Sequence, residues 1–304
     1  MSKKRREVHA VGGIDFNIRE KETLALVGES GCGKTTTGRL LLRLIEPTGG
    51  TVHFRGSNIF DLGKKNMRNI RREMQMIFQD PFASLNPRNT VRQILSRPFA
   101  LHEGVGGEEL ENKVLELLEA VNLTPVEVYI NRHPHEFSGG QRQRIAIARA
   151  LATHPKFVVA DEPVSSLDVS VRATILNLMK DLQEKLKLAI LFITHDLSVV
   201  RSISHRVAVM YLGRIVELAR ADDLYNNPLH PYTKAILSAT PIPDPKLRCR
   251  GRILLKGDPQ SAIDIVSGCC FNKRCYRCKS RCVEKDPELI AAEDQHLVAC
   301  HDFS

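Results

Sequence analysis

Three short stretches of this 304-residue chain have residue types and spacing that could do chemistry. Gly28-Glu29-Ser30-Gly31-Cys32-Gly33-Lys34-Thr35 fits the pattern G-x-x-x-x-G-K-[ST] at every fixed position. The glycines of such a loop let successive backbone N–H groups surround phosphate oxygens, and the following helix presents its positive end to them. Lys34 supplies a point charge for the β- and γ-phosphates of a nucleotide. Thr35 offers a hydroxyl to Mg²⁺, and Thr36 belongs to the same site. Cys32 fills a variable position and reads as a small filler, not a nucleophile. Downstream, Phe157-Val158-Val159-Ala160 is an apolar run ending in Asp161-Glu162. Ligands gather at the C-terminal ends of strands in α/β sheets, so Asp161 is the expected second protein contact of the cation. Glu162 beside it can polarise an attacking water as a general base, against the blander reading of a solvated loop acid. Between the two lies Phe137-Ser138-Gly139-Gly140-Gln141, where Ser138 suits the cap of a helix.

A phosphate loop alone arises by chance in roughly one chain in a hundred of this length. The loop, then Ser-Gly-Gly-Gln, then a strand ending in Asp-Glu, in that order, resembles one family: the ATP-binding cassette (ABC) ATPases. The resemblance implies Mg²⁺-dependent ATP hydrolysis and an α/β P-loop cassette with a mainly parallel sheet core, a helical subdomain and antiparallel strands. It assigns Glu162 to the attacking water. His195, in Ile193-Thr194-His195-Asp196, is similar to the family's switch histidine on the γ-phosphate. Gln79 matches the glutamine of the loop that senses γ-phosphate and Mg²⁺ and couples to the membrane subunit. Ser165-Ser166-Leu167-Asp168 matches the loop that crosses a dimer interface. Ser138, Gly139, Gly140 and Gln141 would then act on the nucleotide of a partner cassette, so ATP closes two cassettes and hydrolysis reopens them.

The likeness extends further. Phe78 to Pro87, Asn227-Pro228-Leu229-His230-Pro231-Tyr232-Thr233 and Val298-Ala299-Cys300-His301 resemble the ATPase subunits of oligopeptide, dipeptide and nickel importers. Thr37 to Leu44 inclines toward the second of the two paralogous ATPases of such importers. That branch implies a paralogous ATPase partner, two membrane permease subunits, an extracytoplasmic substrate-binding protein, and a peripheral place on the cytoplasmic face of the plasma membrane. It does not decide between peptide and nickel. One departure concerns adenine: family members carry an upstream aromatic that stacks on the base. Here Phe16 reads as part of a strand, and before it stand His9 and charged residues. Compensation by the partner, substitution by His9, or a start about twenty residues late are the alternatives, and a lost stack costs roughly 1–3 kcal/mol.

The elements that must position these residues follow from hydrophobic spacing. Leu24 to Val27 reads as a strand feeding the glycine loop, and Thr35 to Ile45 as the helix after it. Thr51 to Phe54 and Met74 to Phe78 read as strands flanking a basic stretch, Lys64 to Arg72. Residues 90–135 are helix-rich, with Leu110, Val114, Leu117, Leu118 and Val121 on one face. Then come the helix Gly140 to Ala152, the strand Val158 to Asp161, the helix Val171 to Leu186, the strand Ala189 to Thr194 and the helix Leu197 to Ile203. Val207 to Tyr211 and Arg214 to Leu218 form a hairpin across Leu212-Gly213. Alternation of this kind implies a mainly parallel sheet. Pro241 to Pro245 breaks the pattern, so residues 1–240 are expected as the ATPase domain, its helical subdomain near 85–155, and 241–304 as an extension.

Apolar runs reach six residues, at Leu188 to Ile193 and Val207 to Leu212, and a membrane-spanning helix needs about 20. Met1 to Glu7 has charge but no apolar run behind it, so a soluble cytosolic chain is expected. The net charge is +9. Between Lys246 and Lys285, eleven Lys and Arg stand against three acids, which suits an anionic membrane surface, nucleic acid, a buried anionic site or a solvated face. Because these cations do not flank aromatics on a sheet face, no specific nucleic acid is expected. An ABC ATPase acting on nucleic acid or the ribosome is the alternative reading, and a metal-binding regulatory module a further one. Six of eight cysteines fall between Cys269 and Cys300. In a cytosolic enzyme such clustering suggests metal. Cys269, Cys275, Cys282 and Cys300 match tail cysteines that hold a [4Fe–4S] cluster in some members of the branch. Zinc and free thiols are the competitors, because spacing does not discriminate and Cys270 and Cys278 blur the ligand choice.

Overall fold

The computed structural model describes residues 8–240, 252–255, 257 and 267–303. Pro241 to Pro245, the Met1 to Glu7 segment and the cations Lys246, Arg248, Arg250 and Lys256 lie outside the described residues. The chain divides into two units, one holding Ile18–Thr23 and Gly38–Ile193, the other the residues up to Asn17, Leu24–Thr37 and Thr194 onward. Along the chain the strands are β1 (Thr23–Val27), β2 (His53–Phe54), β3 (Ser57–Asn58), β4 (Met74–Ile77) and β5 (Phe157–Asp161). They continue with β6 (Ala189–Thr194), β7 (Arg206–Tyr211), β8 (Arg214–Arg220), β9 (Ile290–Glu293) and β10 (His296–Val298).

In the unit containing Gly38–Ile193, β4, β5 and β6 run parallel, with Met74 opposite Phe157 and Asp161 opposite Ile193. Every residue of β5 is buried, as expected for a parallel strand covered on both faces. β2 and β3 form a two-residue hairpin. Arg55 and Gly56, at φ +50° and +79°, provide the positive dihedrals of a tight hairpin turn. The basic stretch after them is a helix, Lys64–Glu73, whose single buried residue is Met67. The helices Val91–His102, Gly107–Ala120 and Gly139–Leu151 pack together through Leu95, Phe99, Val114, Leu118 and Ile145. The helix after the glycine loop ends at Leu41, short of the expected Ile45. Arg43 turns to φ +47° there, leaving Leu44 and Ile45 exposed.

In the unit containing Leu24–Thr37, β1 pairs parallel with β7 from Leu24 opposite Arg206 to Val27 opposite Val209. β7 and β8 form the expected hairpin, turning at Leu212 (φ +42°) and Gly213 (φ +77°). No strand forms around Phe16: residues 11–19 are neither helix nor strand. The end of the chain joins this sheet, because β10 adds antiparallel to β8 and β9 to β10. Val27, Val209, Tyr211, Tyr232 and Phe271 share one core cluster. Glu217 of β8, fully buried, accepts backbone N–H groups from Leu229 and His230 at 2.8 and 2.9 Å, and lies 2.7 Å from His296 Nε2. One carboxylate thus ties β8, the turn before residue 231 and β10, and its lone pairs are used by donors as a buried charge requires.

Candidate nucleotide site

The glycine loop joins β1 to the helix Lys34–Leu41. Gly33 sits at φ +108°, and a Cβ there would lie 2.1 Å from the Ala10 carbonyl oxygen, so both dihedral and space exclude a side chain. Lys34 is 5% exposed. Its Nζ donates to the carbonyls of Gly28 at 2.7 Å and Glu29 at 2.8 Å, which holds the ammonium within the curl of the loop. Burial pushes the Cys32 thiol up, against the pull of Lys34, and a protonated buried thiol is a poor nucleophile. Thr35 and Thr36 are half-buried, while the Thr37 hydroxyl closes the first helical turn onto Gly33 O at 3.0 Å. His195 is exposed at the end of β6. Beside it Asp196 caps the helix Leu197–Ile203, accepting from Ser198 N at 2.9 Å.

In the other unit the structure brings Gln79 and Glu162 together. Gln79 Nε2 donates to Glu162 Oε2 at 3.0 Å. Glu162 follows β5 at φ +45°, a left-handed conformation that is uncommon for a residue with a Cβ. Its N–H bonds Ile193 O at 2.9 Å, and its own carbonyl accepts from Ser165 N and Oγ. The backbone is therefore over-determined where strain clusters at functional sites. Asp161, 3% exposed, closes β5. Ser138 and Gln141 form a reciprocal capping box: Ser138 Oγ accepts from Gln141 N at 3.3 Å, and Gln141 Oε1 from Ser138 N at 3.0 Å. Gly139 and Gly140 begin the helix Gly139–Leu151. A Cβ on Gly140 would come 2.5 Å from Val171 Cγ1, so this helix approaches Val169–Leu186 too closely for any side chain. Asp168 is the exposed residue preceding that second helix.

Sequence spacing carried no sign of Tyr232 and Arg274 beside the glycine loop. Glu29 N–H donates to Tyr232 Oη at 3.1 Å, and Arg274 Nη1 lies 3.1 and 2.9 Å from the two Glu29 carboxylate oxygens. Tyr232 stands inside the Asn227–Thr233 stretch, where His230 Nδ1 accepts from Tyr232 N at 3.1 Å and caps the helix Pro231–Ala239. The pattern marked that stretch, and the fold shows what it holds.

Cys269, Cys275, Cys282 and Cys300 line one small cavity with His230 and His301. Lining is not ligation. Among the described residues no group of three or more His, Cys, Asp or Glu could hold a metal ion, so the expected iron–sulfur cluster, and zinc with it, finds no support here. A hydrogen bond with Cys270 holds Cys269 below the ordinary thiol range, against burial and with help from His230. Burial lifts Cys275 to about 11 and raises Cys300. For ATP and Mg²⁺ the residues of each unit taken by itself do fit: in one a glycine loop with a buried ammonium and the Thr35 hydroxyl, in the other the Asp161 carboxylate, oxygens of the type a hard cation takes.

Known proteins agree. Residues 11–165 match the ABC transporter family, and residues 216–282 the oligopeptide/dipeptide transporter C-terminal region. The putative oligopeptide transport ATP-binding protein YkfD of Bacillus subtilis (strain 168) is 54% identical, over 98% of this chain and 91% of that one. The dipeptide transport ATP-binding protein DppF of Haemophilus influenzae is 49% identical, over 98% and 90%. The ATP-binding cassette MJ0796, solved as a dimer in a post-hydrolysis state bound to ADP and Pi, superposes with a TM-score of 0.65 at 31% identity, covering 72% of this chain and 94% of that one. The buried lysine in its glycine loop, the capped Ser-Gly-Gly-Gln helix and the carboxylate pair closing β5 therefore belong to an ATPase of the ABC transporter family, with the C-terminal region of its oligopeptide and dipeptide branch.

Proposed function

We propose that this chain is the subunit whose ATP hydrolysis powers import of oligopeptides or dipeptides through a membrane transporter. The observation that carries the hydrolytic half is the Gln79–Glu162 hydrogen bond, which aims a carboxylate next to Asp161 through a partner on a separate loop. The peptide half is supported by the C-terminal region over residues 216–282 and by the names of the relatives.

Each residue then has a role. Backbone N–H groups from Gly28 to Gly33, through Glu29, Ser30, Gly31 and Cys32, bind phosphate oxygens. Lys34 neutralises the β- and γ-phosphates, and Thr36 completes the loop. Bound Mg²⁺ would spread the phosphate charge, with Thr35, Asp161 and Gln79 as the residues that hold it. Glu162 takes the proton of the attacking water, and His195 contacts the γ-phosphate. Ser138, Gly139, Gly140 and Gln141 reach the nucleotide of a paired cassette, with Asp168 on the loop between the two. The partners are a paralogous ATPase, two permease subunits and, through them, a substrate-binding protein. Among the described residues no helix is long and apolar enough to cross a membrane, which fits a peripheral place on the cytoplasmic face. Residues 1–240 serve as the motor, with a helical subdomain at about 85–155, and 241–304 as its extension.

Reconstitution with permeases, paralogous ATPase and binding protein in vesicles tests this. ATP-dependent uptake of a labelled oligopeptide is expected. Hydrolysis that no peptide or binding protein stimulates, with no uptake, would refute the peptide reading.

A further inference from the structure

Glu29 is the acid of the glycine loop; from Gly28 to Thr37 no other residue carries negative charge. That is an awkward place for a carboxylate, since the loop's work is to gather N–H groups and one ammonium around a polyanion. The side chain is 27% exposed, enough to interact with whatever charge binds there, and its backbone carbonyl already accepts from Lys34 Nζ at 2.8 Å. Arg274 answers it. The guanidinium is 8% exposed and its Nη1 bridges both carboxylate oxygens, at 3.1 and 2.9 Å. It lies 6.0 Å over the Tyr211 ring, a stacked setting that a lysine ammonium does not reproduce.

Arg274 reaches across 245 positions because the cysteine-rich turn is anchored. Phe271 is 1% exposed and packs against Tyr211 and Tyr232 with ring centroids 5.1 and 5.4 Å away. The turn then closes by Arg274 N to Phe271 O at 3.1 Å and Cys275 N to Phe271 O at 3.0 Å. Tyr232, in the same aromatic cluster, accepts the Glu29 N–H. Both ends of Glu29 are thus held from the C-terminal part of the chain.

We infer that Arg274 is a positioning residue of the ATP site: by pairing Glu29 it neutralises the loop's one acid, fixes the loop's curl and leaves Lys34 for the phosphates. The inference rests on the assignment of Gly28 to Thr36 as the ATP-binding loop, and gives the extension a direct part in nucleotide affinity.

The test is MgATP binding to the full chain, followed by KM and kcat for ATP in the assembled transporter. Arg274→Ala should raise Kd and KM about tenfold while changing kcat less than threefold, because Glu29 is left unpaired beside the phosphates. Glu29→Gln introduced into the Arg274→Ala chain should recover most of the lost affinity, and Arg274→Lys should keep more affinity than Arg274→Ala. A folded Arg274→Ala protein with parental affinity would overturn the inference. So would a loss that the added Glu29→Gln does not relieve, since support of the turn alone takes no account of charge at residue 29. If Arg274→Ala does not fold, Arg274→Gln, which keeps most of the packed stem, is read by the same two outcomes. A parent chain that binds no MgATP would instead sink the loop assignment and the inference with it.

Discussion

Gln79 and Glu162, 83 positions apart, meet at 3.0 Å, amide nitrogen to carboxylate oxygen. The amide holds one oxygen of the carboxylate and so fixes the direction of the Glu162 side chain. Glu162→Gln removes the base but keeps shape and hydrogen-bonding capacity. A positioned general base contributes about 10²–10⁴-fold, so hydrolysis in the assembled transporter should fall by that much while MgATP stays bound. Turnover at the parental rate, measured beside equilibrium binding, would remove Glu162 from the role.

Lys34 is buried with its ammonium on two loop carbonyls. Charge-assisted hydrogen bonds contribute about 1.5–3 kcal/mol, which is roughly ten- to over a hundredfold in Kd. Lys34→Ala should weaken MgATP binding by that factor. Titration of the full chain with a fluorescent ATP analogue checks it, and unchanged affinity would move the phosphate site elsewhere.

Ser138 has two separable jobs. As helix cap it contributes about 1 kcal/mol to stability, so Ser138→Ala should lower the melting temperature by a few degrees. Ser138→Asp keeps a capping acceptor and adds a negative charge at a helix start assigned to the partner's γ-phosphate. It should melt like the parent yet lose most ATPase activity in the transporter. Equal activity of Ser138→Asp and the parent would leave Ser138 as a cap only.

Phe271 carries the turn that presents Arg274. Truncating a fully buried Phe costs about 3–5 kcal/mol, so Phe271→Ala should strongly destabilise the chain in thermal or urea unfolding. A shift of no more than a degree would mean that the turn is held by something else.

Asp302 accepts from Lys279 at 2.6 Å and pairs with Arg277 at 3.0 Å. The Lys279 hydrogen bond holds its carboxyl below the usual range, against burial and with help from Arg277. A folded-state pKa below the unfolded one stabilises above the ordinary carboxylate range, and that stabilisation is lost as pH falls through the lowered value. Asp302→Asn should therefore lower the melting temperature at neutral pH, and the gap to the parent should close in acid. A gap that persists through the acid limb would assign the effect to packing rather than charge.

Short-range patterns settled much of this protein in advance. Ser138 and Gln141 stand at the cap and third helical positions, so their capping box is legible in four residues. The apolar run of β5, and Leu212-Gly213 between β7 and β8, are equally local signals, because period and turn chemistry act over a few residues. Where the helix after the glycine loop stops was less legible: Leu44 and Ile45 keep helical spacing, but Arg43 takes a positive φ. Tertiary structure alone decided that β10 pairs with β8, that Gln79 finds Glu162, and that Arg274 answers Glu29. Forty-four Lys and Arg are present, and composition does not say which one a given carboxylate meets. That choice follows from the packing of Phe271 against Tyr211 and Tyr232, because an ion pair forms where the core has already brought two charges within reach.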